Sequence, residues 1–335
     1  NTAVNYANLS QNWIYINTTW TELNLKNITF VLKNDTAIVN TTSYTTATYL
    51  INWTGLADNN YSYYVNITDN AENINSTNIR YITIDDTNPS SNLVYPTNNI
   101  FNSTLTQNFT FNVSDNLGVK NATLNIWNTT GEYNSTNTNF ITNTLTSTIG
   151  IVVTLVEGVY KWWVSLWDWA GNTYSTGNYT FTADTTNPQI SIVFPANNTN
   201  TSNTLLNINY TVSDTYLGSC WYTNDTYLIN TTLASCTNIT SVIWSEGQHN
   251  VTIWANDSAN NKNSSFVRFT IDTIKPQLNL TYPLNLTYNI NISTLNYTVS
   301  DINLENCWYS INSGTTNISV TCGTNLTGLT STEGS

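Results

Sequence analysis

Asp184-Thr185-Thr186-Asn187-Pro188, continued by Gln-Ile-Ser-Ile-Val-Phe and closed by Pro195, is the stretch on which the reading of this chain turns. The same frame recurs as Asp85-Asp86-Thr87-Asn88-Pro89 up to Pro96, and as Asp272-Thr273-Ile274-Lys275-Pro276 up to Pro283. In each copy the two prolines are seven apart (96 − 89, 195 − 188, 283 − 276). Recurrence at a fixed period decides architecture before any single element does. Here the periods are 99 residues (188 − 89) and 88 residues (276 − 188), each the size of a small domain.

Worked outward from these junctions, the 335 residues divide into four repeats, 1–84, 85–183, 184–271 and 272–335. Each is built of short apolar-polar alternations, the period-2 signature of half-buried strands. In the first repeat Trp13 and Tyr15 alternate with their neighbours, as do Ile28, Phe30 and Leu32, and Tyr49, Ile51 and Trp53. In the second, Phe109, Phe111 and Val113 alternate strictly with polar residues, and Val159 to Trp167 form an aromatic strand. Ile208, Tyr210 and Val212 repeat the pattern in the third, and Leu295, Tyr297 and Val299 in the fourth. No 3.6-residue apolar period appears. The first repeat has no counterpart of the two-proline strand. In the fourth, Glu333-Gly334 align with Glu157-Gly158 and Glu246-Gly247, which precede the last strands of their repeats. Both end repeats are therefore expected to be incomplete.

Charged residues make up only 8% of the chain, but 40% are hydrophobic and 13% aromatic, which excludes a disordered polar polymer. A net charge of −12 with eight Lys plus Arg argues against nucleic acid as a partner. No run of about 18 apolar residues marks a membrane span, and no signal peptide opens the chain. Some thirty Asn-x-Ser/Thr sequons, among them Asn27, Asn66, Asn108, Asn112, Asn178, Asn230, Asn238 and Asn291, are about twice what random placement would give. They point to N-linked glycans and an extracellular surface.

The Asp-Thr-Thr-Asn-Pro junctions, the Val-Ser-Asp strand ends and the Asp-x-Ala-x-Asn turns at Asp168 and Asp257 resemble the tandem immunoglobulin-like repeats of prokaryotic surface proteins. Cys220-Trp221-Tyr222 and Cys307-Trp308-Tyr309, with so many sequons, are most similar to archaeal examples. The resemblance covers essentially the whole chain. It implies an all-β fold of tandem immunoglobulin-like β-sandwich domains in an extended rod, and it is silent on activity, because such repeats serve many surface proteins.

Cys220 and Cys236 fall in the third repeat, Cys307 and Cys322 in the fourth. Pairing within repeats is the simplest arrangement and implies an oxidising compartment. Free thiols and a metal site are the alternatives, although the short Cys-x₂-Cys spacings of zinc sites are missing. His249, the sole histidine, reads as a solvated turn residue before a strand, so neither a nucleophile–histidine pair nor a histidine metal cluster is expected. Sandwich topology brings Asp85, Asp115 and Asp168 towards one interface, and Asp184, Asp214 and Asp257 towards the next. Either these carboxylates hold Ca²⁺, which takes six to eight oxygens, or each caps its own turn. Trp163, Trp167 and Trp169 share a strand parity that Trp162 lacks. One set belongs to the core, and the other covers a contact or stacks on sugars.

These readings converge on a non-catalytic structural protein of the cell surface, a subunit or segment of a filament or surface layer. It requires no cofactor, Ca²⁺ at the junctions being one option, and the incomplete ends mean either a portion of a longer array or self-association with identical subunits by strand exchange. A glycan-binding adhesin and a spacer within a larger secreted protein are the alternatives.

Overall fold

The computed structural model describes residues 4–330. The alignment of Glu333-Gly334 lies outside the described residues. Within them there are 27 strands, a single 3₁₀ turn and no α-helix, so the protein is an all-β array of sandwich repeats. The chain forms two compact units, one of residues 1–186 with 258–261 and the other of 187–257 with 262–335.

The first unit opens with β1 (Ala7–Leu9), β2 (Trp13–Asn17), β3 (Leu25–Asn34), β4 (Ile38–Tyr44), β5 (Leu50–Thr54), β6 (Asn59–Asp69), β7 (Ile74–Ser76) and β8 (Arg80–Ile84). One sheet runs β1-β8-β6-β3-β4 with β7 on β6, and the facing sheet is β2-β5. Between them Ile28, Phe30 and Leu32 interdigitate with Ile51, Trp53, Tyr63 and Ile84. The alternation at the start is shifted by one residue from the expected one. Ile14 and Ile16 are buried, and Trp13 is 41% exposed. With apolar side chains at all four positions 13–16, the pattern alone cannot choose the face. The pairing of Ile14 with Trp53 and of Ile16 with Ile51 does.

The second repeat comprises β9 (Ser90–Tyr95), β10 (Ile100–Asn102), β11 (Thr106–Asn128), β12 (Gly131–Thr154), β13 (Gly158–Asp168), β14 (Thr173–Ser175) and β15 (Tyr179–Ala183). The sheet order is β10-β15-β13-β11-β12, with β9 on β11 and β14 on β13. β11 and β12 are long enough to serve both layers. The first half of β11 pairs with β9, its second half pairs with β13, and the change falls at a register shift between Ser114 and Val119. Strand corners of this kind are made by bulges. Phe109, Phe111, Leu124, Ile126, Trp162 and Phe181 fill the core.

The second unit contains β16 (Gln189–Phe194), β17 (Thr199–Thr201), β18 (Asn209–Ser213), β19 (Leu217–Asn224), β20 (Thr231–Leu233), β21 (Gly247–Asp257) and β22 (Lys262–Ile271). Sheets β16-β18 and β17-β22-β21-β19-β20 enclose Ile208, Tyr210, Trp244, Ile253 and Phe269. It ends with β23 (Gln277–Tyr282), β24 (Thr294–Ser300), β25 (Cys307–Tyr309), β26 (Ile318–Val320) and β27 (Leu326–Thr327), in sheets β23-β24-β27 and β25-β26.

Candidate metal centre at a repeat junction

Asp85 follows β8, Asp115 sits where β11 changes layer, and Asp168 ends β13. All three are buried, and one carboxylate oxygen from each lies within 4.8 Å of the others. Their Oδ1 atoms are engaged locally. Asp85 Oδ1 accepts Thr87 N–H at 3.3 Å. Asp115 Oδ1 accepts Leu117 and Gly118 N–H at 2.9 and 2.6 Å. Asp168 Oδ1 accepts Gly171 and Asn172 N–H at 2.6 and 2.9 Å. Gly118 is required here: its φ is +121°, and a Cβ would meet Asn143 Cα at 2.8 Å.

Turn capping and convergence are thus not exclusive. Asp168 Oδ2 accepts Asn172 Nδ2–H at 2.7 Å, but Asp115 Oδ2 is buried without a partner. No lysine or arginine pairs with any of the three among the described residues. Burial, and then the charges of Asp115, Asp168 and Asp58, push the Asp85 carboxyl up to about 7. Three carboxylates buried this close together repel one another, and a cation between them would relieve that repulsion. Hard anionic oxygens at this spacing suit Ca²⁺, with water and backbone oxygens completing its shell.

The same joint is cross-tied by neutral groups. Asn172 Nδ2–H also donates to Asp85 O at 2.9 Å and Thr87 O at 3.2 Å, and Ser10 Oγ–H donates to Asn172 Oδ1. Asp58 accepts from Asp86 N–H at 2.9 Å, Asn116 Nδ2–H at 2.8 Å and Thr87 Oγ–H. These bonds hold its carboxyl below the usual range against the opposing effect of burial. Its counterparts are Glu157, which accepts from Thr185 N–H at 3.0 Å and Thr186 Oγ–H at 2.9 Å, and Glu246, which accepts from Thr273 N–H at 3.0 Å and Oγ–H at 2.8 Å. The aligned Glu-Gly pairs were the signal for this acid-to-threonine clasp.

Of the second expected trio, Asp184 lies in the first unit and Asp214 and Asp257 in the second. Asp184 Oδ1 accepts Thr186 N–H at 3.1 Å, Asp214 Oδ1 accepts Tyr216 N–H at 2.7 Å, and Asp257 is buried at the end of β21. Cys220 is bonded to Cys236, and Cys307 to Cys322. Asn108, Asn112, Asn178, Asn230, Asn238 and Asn291 are exposed. Asn27 and Asn66 are half-buried, and Asn66 Oδ1 accepts Ser76 Oγ–H at 2.7 Å.

His249 departs from expectation. It is 5% exposed inside β21, not solvated in a turn. Nδ1 lies 2.9 Å from Asp225 Oδ2, Nε2 lies 2.9 Å from Ser245 O, and the ring packs on Trp244 and Phe269. The tryptophans divide by parity: Trp162 is fully buried, Trp163 and Trp169 are half-buried, and Trp167 is 39% exposed.

No family model matches this chain, and no curated protein does. Among solved structures it is similar to the tetra-tandem repeat in the extending region of a large adhesion protein, at 18% identity and TM-score 0.33, covering 96% of this chain and 88% of that one. It is also similar to the fibronectin(III)-like modules of Clostridium thermocellum CbhA, at 15% identity and TM-score 0.29, over 53% of this chain and 89% of that one. Chicken CNTN1 FN1–FN3 domains match at 9% identity and TM-score 0.27, over 80% and 96%.

Proposed function

We propose that this chain is a non-catalytic structural protein of the cell surface, a subunit or segment of an extracellular filament or surface layer. In this reading Ca²⁺ held by Asp85, Asp115 and Asp168 locks the joint between the first two repeats. One observation carries it: the joint buries three carboxylates that have no basic partner among the described residues, and one oxygen, Asp115 Oδ2, has no hydrogen-bond partner there. Leaving such groups uncompensated is costly, and a scaffold that works in a cation-rich medium supplies the compensation from outside. The two disulfides support an oxidising, extracellular setting, where N-linked glycans would decorate the exposed sequons.

Thermal melts of the full chain with Ca²⁺ and with EGTA test the joint. At a Ca²⁺ concentration 100 times Kd the gain is about 2.7 kcal/mol, which raises Tm by roughly 5–10 °C for a unit of this size. Asp115→Asn abolishes that rise. An unchanged Tm with Ca²⁺ leaves the aspartates as turn caps only.

Self-association with further copies of the chain supplies the assembly. On β23, Leu278 and Leu280 are 71% and 52% exposed, whereas their register counterparts on β16, Ile190 and Ile192, pack on the third core. Light scattering of the purified chain is expected to show concentration-dependent oligomers that Leu278→Asp with Leu280→Asp dissolves.

A further inference from the structure

The outward face of β13 carries Trp163 and Trp167, and just beyond the strand comes Trp169. Two of these rings are already covered. Trp163 packs on Trp127 with centroids 5.6 Å apart, and Trp169 lies under Lys120 Nζ at 5.8 Å. Among the described residues neither a ring nor a cation covers Trp167, which is 39% exposed. It stands directly across the β11–β13 ladder from Asn121, and the two border a hollow of about 280 Å³ whose other walls include Lys120, Thr123, Asn137 and Asp168.

We propose that this hollow is a saccharide subsite, in which a pyranose ring stacks on the Trp167 indole and its hydroxyls are read by Asn121, Thr123 and Asn137. The volume, near the lower end of small-molecule sites, suits one sugar ring. The indole supplies an apolar face for the C–H side of the ring. The rim supplies amides and a hydroxyl, which both donate and accept and so match vicinal hydroxyls. Asn121 Oδ1 is itself buried, whereas Thr123 Oγ–H donates to Asn137 Oδ1 at 3.2 Å and Asn137 Nδ2–H to Asn139 Oδ1 at 3.2 Å, which leaves the Thr123 oxygen able to accept. A net charge of −12 disfavours polyanions. A larger hollow of about 490 Å³ on the same repeat is walled by Ser90, Ser91, Asn92, Asn112 and Thr148 among others, with no aromatic plane, and it lacks the element that selects a sugar.

The test uses the full chain from a host that does not N-glycosylate. A glycan array selects the probe, and methyl glucoside, methyl mannoside and methyl N-acetylglucosaminide are then titrated by saturation-transfer NMR and tryptophan fluorescence. At least one pyranoside is expected to bind. Trp167→Ala should weaken it by about tenfold or more, Asn137→Ala by several-fold, and Trp13→Ala, at an exposed tryptophan of the first repeat, not at all. Circular dichroism of each variant separates lost binding from lost fold. Asn121-Ala122-Thr123 is itself a sequon, so a native protein carrying a glycan on Asn121 overturns the proposal. So does a blank array, or binding that Trp167→Ala leaves intact. None of these outcomes bears on the Ca²⁺ melts.

Discussion

The second and third repeats solve the same packing problem with different means. Register makes Ala122 and Cys220 equivalent: Ala122 faces Leu166 and Cys220 faces Ala255, and both are fully buried. In the second repeat β11 and β12 form one continuous hairpin, whereas in the third β19 is followed by the three-residue β20. Where the hairpin shortens, a covalent bond stands at the wall. The lesson is that cross-linking holds the sandwich where strand pairing is cut short.

The sharpest way to break this comparison is to remove the bond. Cys220→Ser together with Cys236→Ser is expected to destabilise the third repeat by about 3 kcal/mol, from the entropy of the loop it closes. The second repeat, which has no cysteine, should melt unchanged. Differential scanning calorimetry, with and without a reductant, reads both transitions in one sample. A common shift of the two would show that the disulfide does not act within its own repeat.

A smaller effect concerns the corner leading into β6, β13 and β21. Tyr61 Oη–H donates to Ala57 O at 2.8 Å and Tyr160 Oη–H to Val156 O at 2.9 Å. His249 Nε2 meets Ser245 O at 2.9 Å, again four residues back. The histidine is therefore a tyrosine-corner substitute that gains Asp225 as a second tie. His249→Tyr should keep the carbonyl bond and fold, with a loss under about 1 kcal/mol. His249→Leu leaves a carbonyl unpaired and should cost about 1–3 kcal/mol. Chemical denaturation distinguishes them, and equal losses would mean that Asp225, not Ser245, is the partner that matters.

This corner also shows what the sequence could and could not convey. The junctions, the alternating strands and the Asp-x-Ala-x-Asn turns are local patterns with a fixed period, so the all-β repeat plan was legible from them. Asp69 repeats the turn chemistry in the first repeat, accepting Ala71 and Asn73 N–H at 2.8 and 2.9 Å. His249 was misread because a lone polar residue beside Glu246-Gly247-Gln248 looks like a turn. Only alignment of the corner itself, Tyr61 with Tyr160 with His249, reveals a buried position. Trp13 failed for another reason: four successive large apolar residues carry no parity, and tertiary pairing chose the isoleucines. The unbroken run of β11 through Asp115 was invisible because the polar Ser-Asp-Asn stretch reads as a loop, yet its polar atoms are consumed in a bulge.

The smallest expected effect tests whether the acid clasps add to the difference between repeats. Glu157 is exposed, and the bonds from the Thr185 side chain, the Thr186 side chain and then the Thr185 backbone hold its carboxyl below the ordinary value of 4.5. A carboxyl whose pKa is depressed on folding contributes stability above its unfolded value and loses it as pH falls through the folded one. Solvent screening keeps the contribution under about 1 kcal/mol. Glu157→Gln should therefore lower Tm by a degree or two at pH 7, and the gap to the parent chain should close as the pH falls below 4.5. Glu246→Gln, which alters the acceptor of the Thr273 N–H and Oγ–H bonds, should lower Tm by a similar amount at pH 7. A gap that stays constant with pH would mean that the glutamine amide replaces the carboxylate as acceptor with no charge involved, leaving the clasp a neutral hydrogen-bonding device common to both repeats.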